Sequence, residues 1–143
     1  MEIMLQQKDN TQETFCLIKS EAYIMRKNDL IVQRIKESGL IISEIWKVRL
    51  TISDIFKMYD KWIPRISSIM RFPQLFNIDV YIIEGQDAIN RMYRLKHKIR
   101  YEIWGWEYKK GGFLHCPDSI EEAFKHKSII SKRILEVIWP LTN

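Results

Sequence analysis

The chain has 143 residues, 46% of them apolar, which suits one domain with a substantial core and gives no sign of a second. Its 23 basic residues outnumber 18 acidic ones for a net charge of +5, a balance that attracts nucleotides and nucleic acids alike, although most such side chains end on solvated helix faces. No apolar run approaches the roughly 20 residues of a membrane span, and the start MEIMLQQKDNTQET lacks a signal peptide's apolar block, so a cytoplasmic protein without membrane contact is expected.

Residues 1–12 read as a polar leader and 13–143 as the single domain. Residues 14–19 form a short apolar strand, and Asn28 or Asp29 starts a helix that carries Leu30, Ile31 and Ile35 on one side until Gly39 stops it. The β-branched and aromatic run 40–48 is a second strand, after which Ser53 caps a helix presenting Ile55, Phe56 and Tyr59. Pro64 opens a further short helix through Met70. Residues 79–84 read as a central strand, followed by a helix from Asp87 on which Ile89, Met92 and Tyr93 recur at helical spacing. Pattern alone then makes RYEIWGWEY and GFLHC a hairpin around Lys109, Lys110, Gly111 and Gly112. After a helix beginning near Ser119, the stretch 131–139, apolar at Ile134, Leu135 and Ile138 and ended by Pro140, is expected as a terminal helix. The alternation of strands and helices with short connections predicts an α+β fold of the ferredoxin-like class, a split β-α-β with a four-stranded antiparallel sheet covered by helices.

The most informative segment is FLHCPDSIEEA. The ordinary pKa of histidine, about 6.5, leaves a neutral, nucleophilic imidazole abundant near neutral pH, and His115 stands at a strand end just before a helix start. Asp118 with Glu121, or Ser119 with Glu122, supplies a capping box ahead of Ile120, Ala123 and Phe124. Exposed amides at such a helix start attract an anion, phosphate being the usual one. Alone, a histidine in this setting is more often a packed structural residue.

Other constellations fail. Cys16 and Cys116 form no C-x-x-C pair and are expected as reduced thiols, and Cys116 points away from His115 in an extended segment. His97, His115 and His126 with these cysteines show no zinc-ligand spacing, so no metal ligand is assigned. There is no G-x-x-x-x-G-K-[ST] loop and no G-x-G-x-x-G fingerprint. Trp104, Trp106 and Tyr108 beside Lys109 and Lys110 could stack single-stranded bases, yet the RNP aromatic pattern of RNA-binding sheets is absent.

Taken in order, TFCLIKSEA, the helix ending near Gly39, LIISEIW, the tyrosine of IFKMYDKW, NIDVYIIEG and FLHCPDS resemble the nucleoside diphosphate kinase family over residues 14–130. In that family a lysine ends the first strand in a K-P-D-G turn, a tyrosine and arginines hold the nucleotide phosphates, and a histidine before G-S-D-S accepts the phosphoryl group. The resemblance puts the lysine on Lys19, the tyrosine on Tyr59, the arginines on Arg100 in KIRYE and on Arg94, with Arg91 as the alternative, and the nucleophile on His115. It implies ping-pong transfer from a nucleoside triphosphate to a nucleoside diphosphate, with a magnesium ion (Mg2+) held mostly by the nucleotide. It also makes the first part of 100–116 irregular and only GFLHC a strand. The long loop that builds threefold contacts in the family's hexamers has here only residues 95–100 to draw on, so a homodimer is expected.

Four departures touch the expected site. Ser20-Glu21-Ala22 replaces P-D-G, Cys116-Pro117 replaces G-S, Gly112 stands where the family's ribose-contacting asparagine stands, and His126 takes the place of the glutamate that orients the histidine. The expected activity is therefore a slow or specialised phosphotransferase. A relative that binds nucleotides or a protein without turnover is the alternative, and an RNA-binding module a third class.

Overall fold

A computed structural model of the protein describes residues 10–58, 77–105 and 112–139. Strand β1 (Thr11–Ile18) passes from exposed at its start to buried over its last five residues, because both of its faces are covered. Phe15 and Leu17 pack on one side of the sheet, Cys16 and Ile18 on the other, as strand alternation requires. The strand starts three residues ahead of the expected Thr14, reaching into the polar stretch read as a leader; residues 1–9 lie outside the described ones.

Short helix α1 (Ser20–Ile24) follows Lys19, then α2 (Asn28–Glu37), β2 (Ile41–Arg49), α3 (Ile52–Met58), β3 (Asn77–Gln86), α4 (Ala88–Trp104), β4 (Leu114–His115), α5 (Ile120–Ser131) and β5 (Ile134–Ile138). Gly39, at φ +86°, takes the left-handed conformation that ends α2 without the strain a Cβ would bring. Among the described residues the strands form one antiparallel sheet in the order β4-β1-β3-β2-β5. The first four reproduce the ferredoxin-like order; the fifth lies beyond it. One core, with Ile31, Ile35, Ile83, Met92 and Phe113, lies under α1, α2 and α4, and another, with Val48, Ile55, Val80 and Ile130, lies under α3 and α5.

Several expectations are corrected. The stretch 131–139 is strand β5 from Ile134, paired with β2 from Ile45↔Ile138 to Val48↔Ile134. Its apolar residues suit either state, and the open edge of β2 selects the extended one by offering backbone partners. The sheet accordingly has five strands and not four. Arg100–Trp104, read as half of a hairpin or as irregular, is the last part of α4, because Met92, Ile99 and Ile103 continue one helical stripe through it. Trp106 and Tyr108, the 64–70 helix and Tyr59 lie outside the described residues.

Helix α3 is capped by Thr51 and not by Ser53. Thr51 Oγ1 accepts from the Asp54 amide (3.1 Å) while Asp54 Oδ2 accepts from the Thr51 amide (2.8 Å), a reciprocal capping box. The same buried carboxylate receives Arg133 Nε at 2.8 Å and Nη2 at 3.3 Å, tying α3 to the turn between α5 and β5. Burial pushes the Asp54 carboxyl up, but the bonds from Thr51 and Arg133 outweigh it and hold it below the usual range. Its stabilisation is thus present above the unfolded-state value of about 3.9 and is lost as pH falls through the lower folded value. Asp54→Ala should lower the unfolding free energy by about 1.5–3 kcal/mol, read as a shifted urea midpoint; an unshifted midpoint would show that the α3 tether is idle.

Candidate active site

The candidate nucleophile sits on an edge strand two residues long. β4 pairs with the end of β1 through Leu17↔His115 and Ile18↔Leu114, and the Lys19 amide donates to the Phe113 carbonyl at 2.9 Å, extending the pairing by one step. This register brings Lys19 and His115, 96 positions apart in sequence, to the same sheet edge. His115 lies on the α5 side, its ring 6.2 Å from that of Phe15, while Cys116 lies in the opposite core with its Sγ 3.7 Å from the Met92 carbonyl. Burial raises both thiols, Cys116 to about 11, which removes them as nucleophiles near neutral pH.

The approach to β4 is unusual backbone. Gly112 (φ +88°) and Phe113 (φ +64°) both lie in the left-handed region, and the Leu114 amide bonds back to the Gly112 carbonyl at 2.8 Å. For a fully buried phenylalanine that conformation is strained, and surrounding contacts must enforce it. Trp104 packs on the Phe113 ring at 5.1 Å, and Arg100 donates from Nε to the Gly112 carbonyl (3.1 Å) and from Nη2 to the Leu114 carbonyl (2.8 Å). Two of the expected nucleotide contacts, Arg100 and Gly112, thus meet each other across the loop and brace the strand that bears His115. Glu102, two positions along the helix, accepts from Arg34 at 2.9 and 2.5 Å.

Arg94 is exposed on α4, on the face turned away from the buried stripe. The alternative, Arg91, donates to the carbonyls of Gln86 (3.0 Å) and Ser38 (2.6 Å), pinning the start of α4 to the end of α2. Neither joins the cations that act on His115. Sequence reading missed Lys96, which does: it is buried in the middle of the α4 stripe, its Nζ 4.6 Å from the centre of the Tyr93 ring. A lysine between Met92 and Ile99 at core spacing is the signal that marks it.

Helix α5 begins with Ser119 in extended conformation, its Oγ accepting from the Glu122 amide at 3.1 Å, so the second capping register is the one used. The helix turns Glu122 and His126 toward β4. His115 Nε2 and His126 Nδ1 are 3.1 Å apart, and Glu122 Oε1 lies 3.8 Å from each. Burial, then the positive charges of Lys19, His126, Lys96 and Arg100, push the His115 imidazole well below its ordinary value. Burial and the hydrogen bond with Asp118 push the Glu122 carboxyl up to about 7. The site therefore holds a neutral imidazole inside a positive field at a helix start, which is suited to attack on a phosphorus whose oxygens are negative.

This architecture recurs in solved structures. The nucleoside diphosphate kinase of Aquifex aeolicus superposes with a TM-score of 0.63 at 17% identity, over 87% of this chain and 99% of that one. The chain has the nucleoside diphosphate kinase fold. The Borrelia burgdorferi kinase in a transition-state mimic with vanadate and ADP gives 0.65 at 18% identity over 90% and 93%, and the Halobacterium salinarum kinase in complex with CDP 0.65 at 16% over 91% and 93%. No protein-family model matches the sequence, and no curated protein matches it.

Within this fold the two shifted groups oppose each other on acidification from pH 7. The unfolded chain takes up a proton at histidine below about 6.5 that folded His115 refuses, which costs stability, whereas folded Glu122 takes one up early, which adds it. The ring itself is therefore the proper readout. In an NMR titration His115 should stay neutral until well below pH 6.5; a midpoint at or above that value would mean that the site is wetter or less basic than described.

Proposed function

We propose that the protein is a divergent histidine phosphotransferase, in which His115 takes the terminal phosphate of a nucleoside triphosphate and passes it to a nucleoside diphosphate. The observation that carries this reading is the position of the His115 ring, held at the β1 edge beside Lys19 and before the α5 start on a nucleoside diphosphate kinase fold, where burial and Lys19 push its pKa down. When His115 Nε2–H donates to His126 Nδ1, the lone pair lies on His115 Nδ1, and that nitrogen attacks the phosphorus while the diphosphate leaves. Lys19 neutralises charge on the transferring group, and Lys96 and Arg100 extend the positive field behind it. Tyr59 and Arg94 remain proposed phosphate contacts on the resemblance alone.

Magnesium belongs to the nucleotide in this reading. It demands oxygen ligands, and the groups around His115 offer one carboxylate facing two ring nitrogens, a poor cage for it. When bound, the ion neutralises the phosphates. Among the described residues no helix is long and apolar enough to cross a membrane, and the substrates proposed are water-soluble.

Labelling with terminally radiolabelled ATP and magnesium should give an acid-labile, alkali-stable phosphoprotein, abolished in His115→Ala; equal labelling of the two proteins would sink the assignment. Because Arg100 braces backbone and Pro117 replaces the family's serine, labelling should survive better than transfer to a free diphosphate. Misplacement of reacting groups costs on the order of a hundredfold in such steps. Quench-flow resolution of the two halves tests this, and turnover limited only by release of product would contradict it. Binding without labelling would favour a nucleotide-binding relative.

The assembly proposed is a homodimer. β5 is an outer strand with Leu135, Val137 and the following Trp139 exposed, an edge of the kind that a second copy covers. Light scattering should return the dimer mass, and a hexamer would remove the argument.

A further inference from the structure

The cluster of His115, Glu122 and His126 is a better cation site than its place beside a phosphate suggests. Its three facing atoms form a nearly regular triangle, with sides of 3.1, 3.8 and 3.8 Å. The centre of that triangle is about 2.1 Å from every corner, within the roughly 2.0–2.2 Å of zinc bonds to imidazole nitrogen and carboxylate oxygen. Glu122 and His126 are one turn apart on α5, and His115 is fixed on β4 by the Arg100 braces, so little rearrangement is needed. Two nitrogens and one oxygen select a borderline cation over magnesium or calcium. The Asp118 backbone amide, which donates to the Glu122 carboxyl, supplies the outer partner that orients a ligating carboxylate.

We propose that His115 Nε2, His126 Nδ1 and Glu122 Oε1 bind a divalent transition cation of the zinc class, with a fourth position left for water. The cation replaces the hydrogen bond between the rings. The proton that His115 carried on Nε2 moves to Nδ1, His126 keeps its own on Nε2, and any proton on Glu122 passes to solvent. This consequence rests on the phosphotransfer reading: a proton on Nδ1 occupies the lone pair that attacks phosphorus, so the cation is a reversible inhibitor of His115. Lys19, Lys96 and Arg100 oppose a dication through space and limit its affinity.

Calorimetry of the full chain with zinc chloride, without nucleotide, should show one ion bound per chain, and cobalt chloride should give the absorption of a four-coordinate site. Glu122→Gln, at a partly exposed position, and His126→Gln should each weaken binding at least roughly tenfold, with circular dichroism checking that both fold. No zinc binding by the wild type, or unchanged affinity in a folded Glu122→Gln protein, would overturn the site. Zinc should also suppress ATP labelling of His115 and a chelator restore it; full labelling of the zinc-loaded protein would overturn the tautomer argument. If metal-free protein never labels yet binds zinc through these residues, the phosphotransfer reading fails and the cation site stands.

Discussion

Two hydrogen bonds from one arginine hold the segment on which the candidate site depends. β4 is only two residues long, and a strand that short has little pairing of its own to resist fraying. Arg100 reaches from the last turns of α4 to the carbonyls on either side of Phe113, and the Lys19 amide takes the carbonyl of Phe113 itself. Three successive acceptors are thereby satisfied in a buried loop with left-handed backbone at Gly112 and Phe113. The arginine's planar fork suits this bracing. Its use there changes what it can do for a ligand, since the donors bonded to backbone carbonyls are not available to a phosphate.

The same economy governs the charges. Lys19, Lys96 and Arg100 come from the end of β1 and from α4, and His115 stands at the edge of the sheet where their fields reach it from around both layers. A positive field and burial act in the same direction on an imidazole, keeping it neutral, and in opposite directions on a carboxyl. Glu122 is dominated by burial and its bond with Asp118 and so rises. The result pairs an imidazole that refuses a proton with a carboxyl that accepts one near neutrality, a separation of roles that acid-base sites commonly use. His126, which by resemblance stands where the nucleoside diphosphate kinase family carries a glutamate, gives His115 a ring nitrogen at 3.1 Å as its neighbour in place of a carboxylate. In the proposed reading that exchange bears on both the orientation of His115 and the cations the cluster would accept.

Much of the fold was legible because local signals and tertiary packing agree. The apolar run of β1, the Gly39 stop, the strand around Ile82, the long helix after Asp87 and the Ser119 cap each follow from side-chain pattern, and together they imply the ferredoxin-like order that the sheet adopts. Errors arose where two states share one composition. ILEVI reads as an amphipathic turn or as a strand, and the open edge of β2 decides. YEIW has strand propensity, and the stripe continued from Met92 and Ile99 overrules it.

The sequence by itself determined the position of His115 ahead of a capped helix and the separation of His115 from Cys116 by strand alternation, because both depend on residues adjacent in the chain. It also determined the resemblance of FLHCPDS and the Lys19 segment to the kinase pattern. Which cations surround the imidazole was decided only by the tertiary structure. Lys96 enters through the buried face of α4, Arg94 leaves through the exposed one, and Arg100 turns to the backbone of β4. The resemblance implied that His126 stands by His115, but the addition of Glu122 to the pair was likewise invisible to a search of histidine and cysteine spacings. Glu122 and His126 share a helix face by period, but only the docking of α5 beside β4 aims that face at His115, and such docking is set by packing between elements and not by any local pattern.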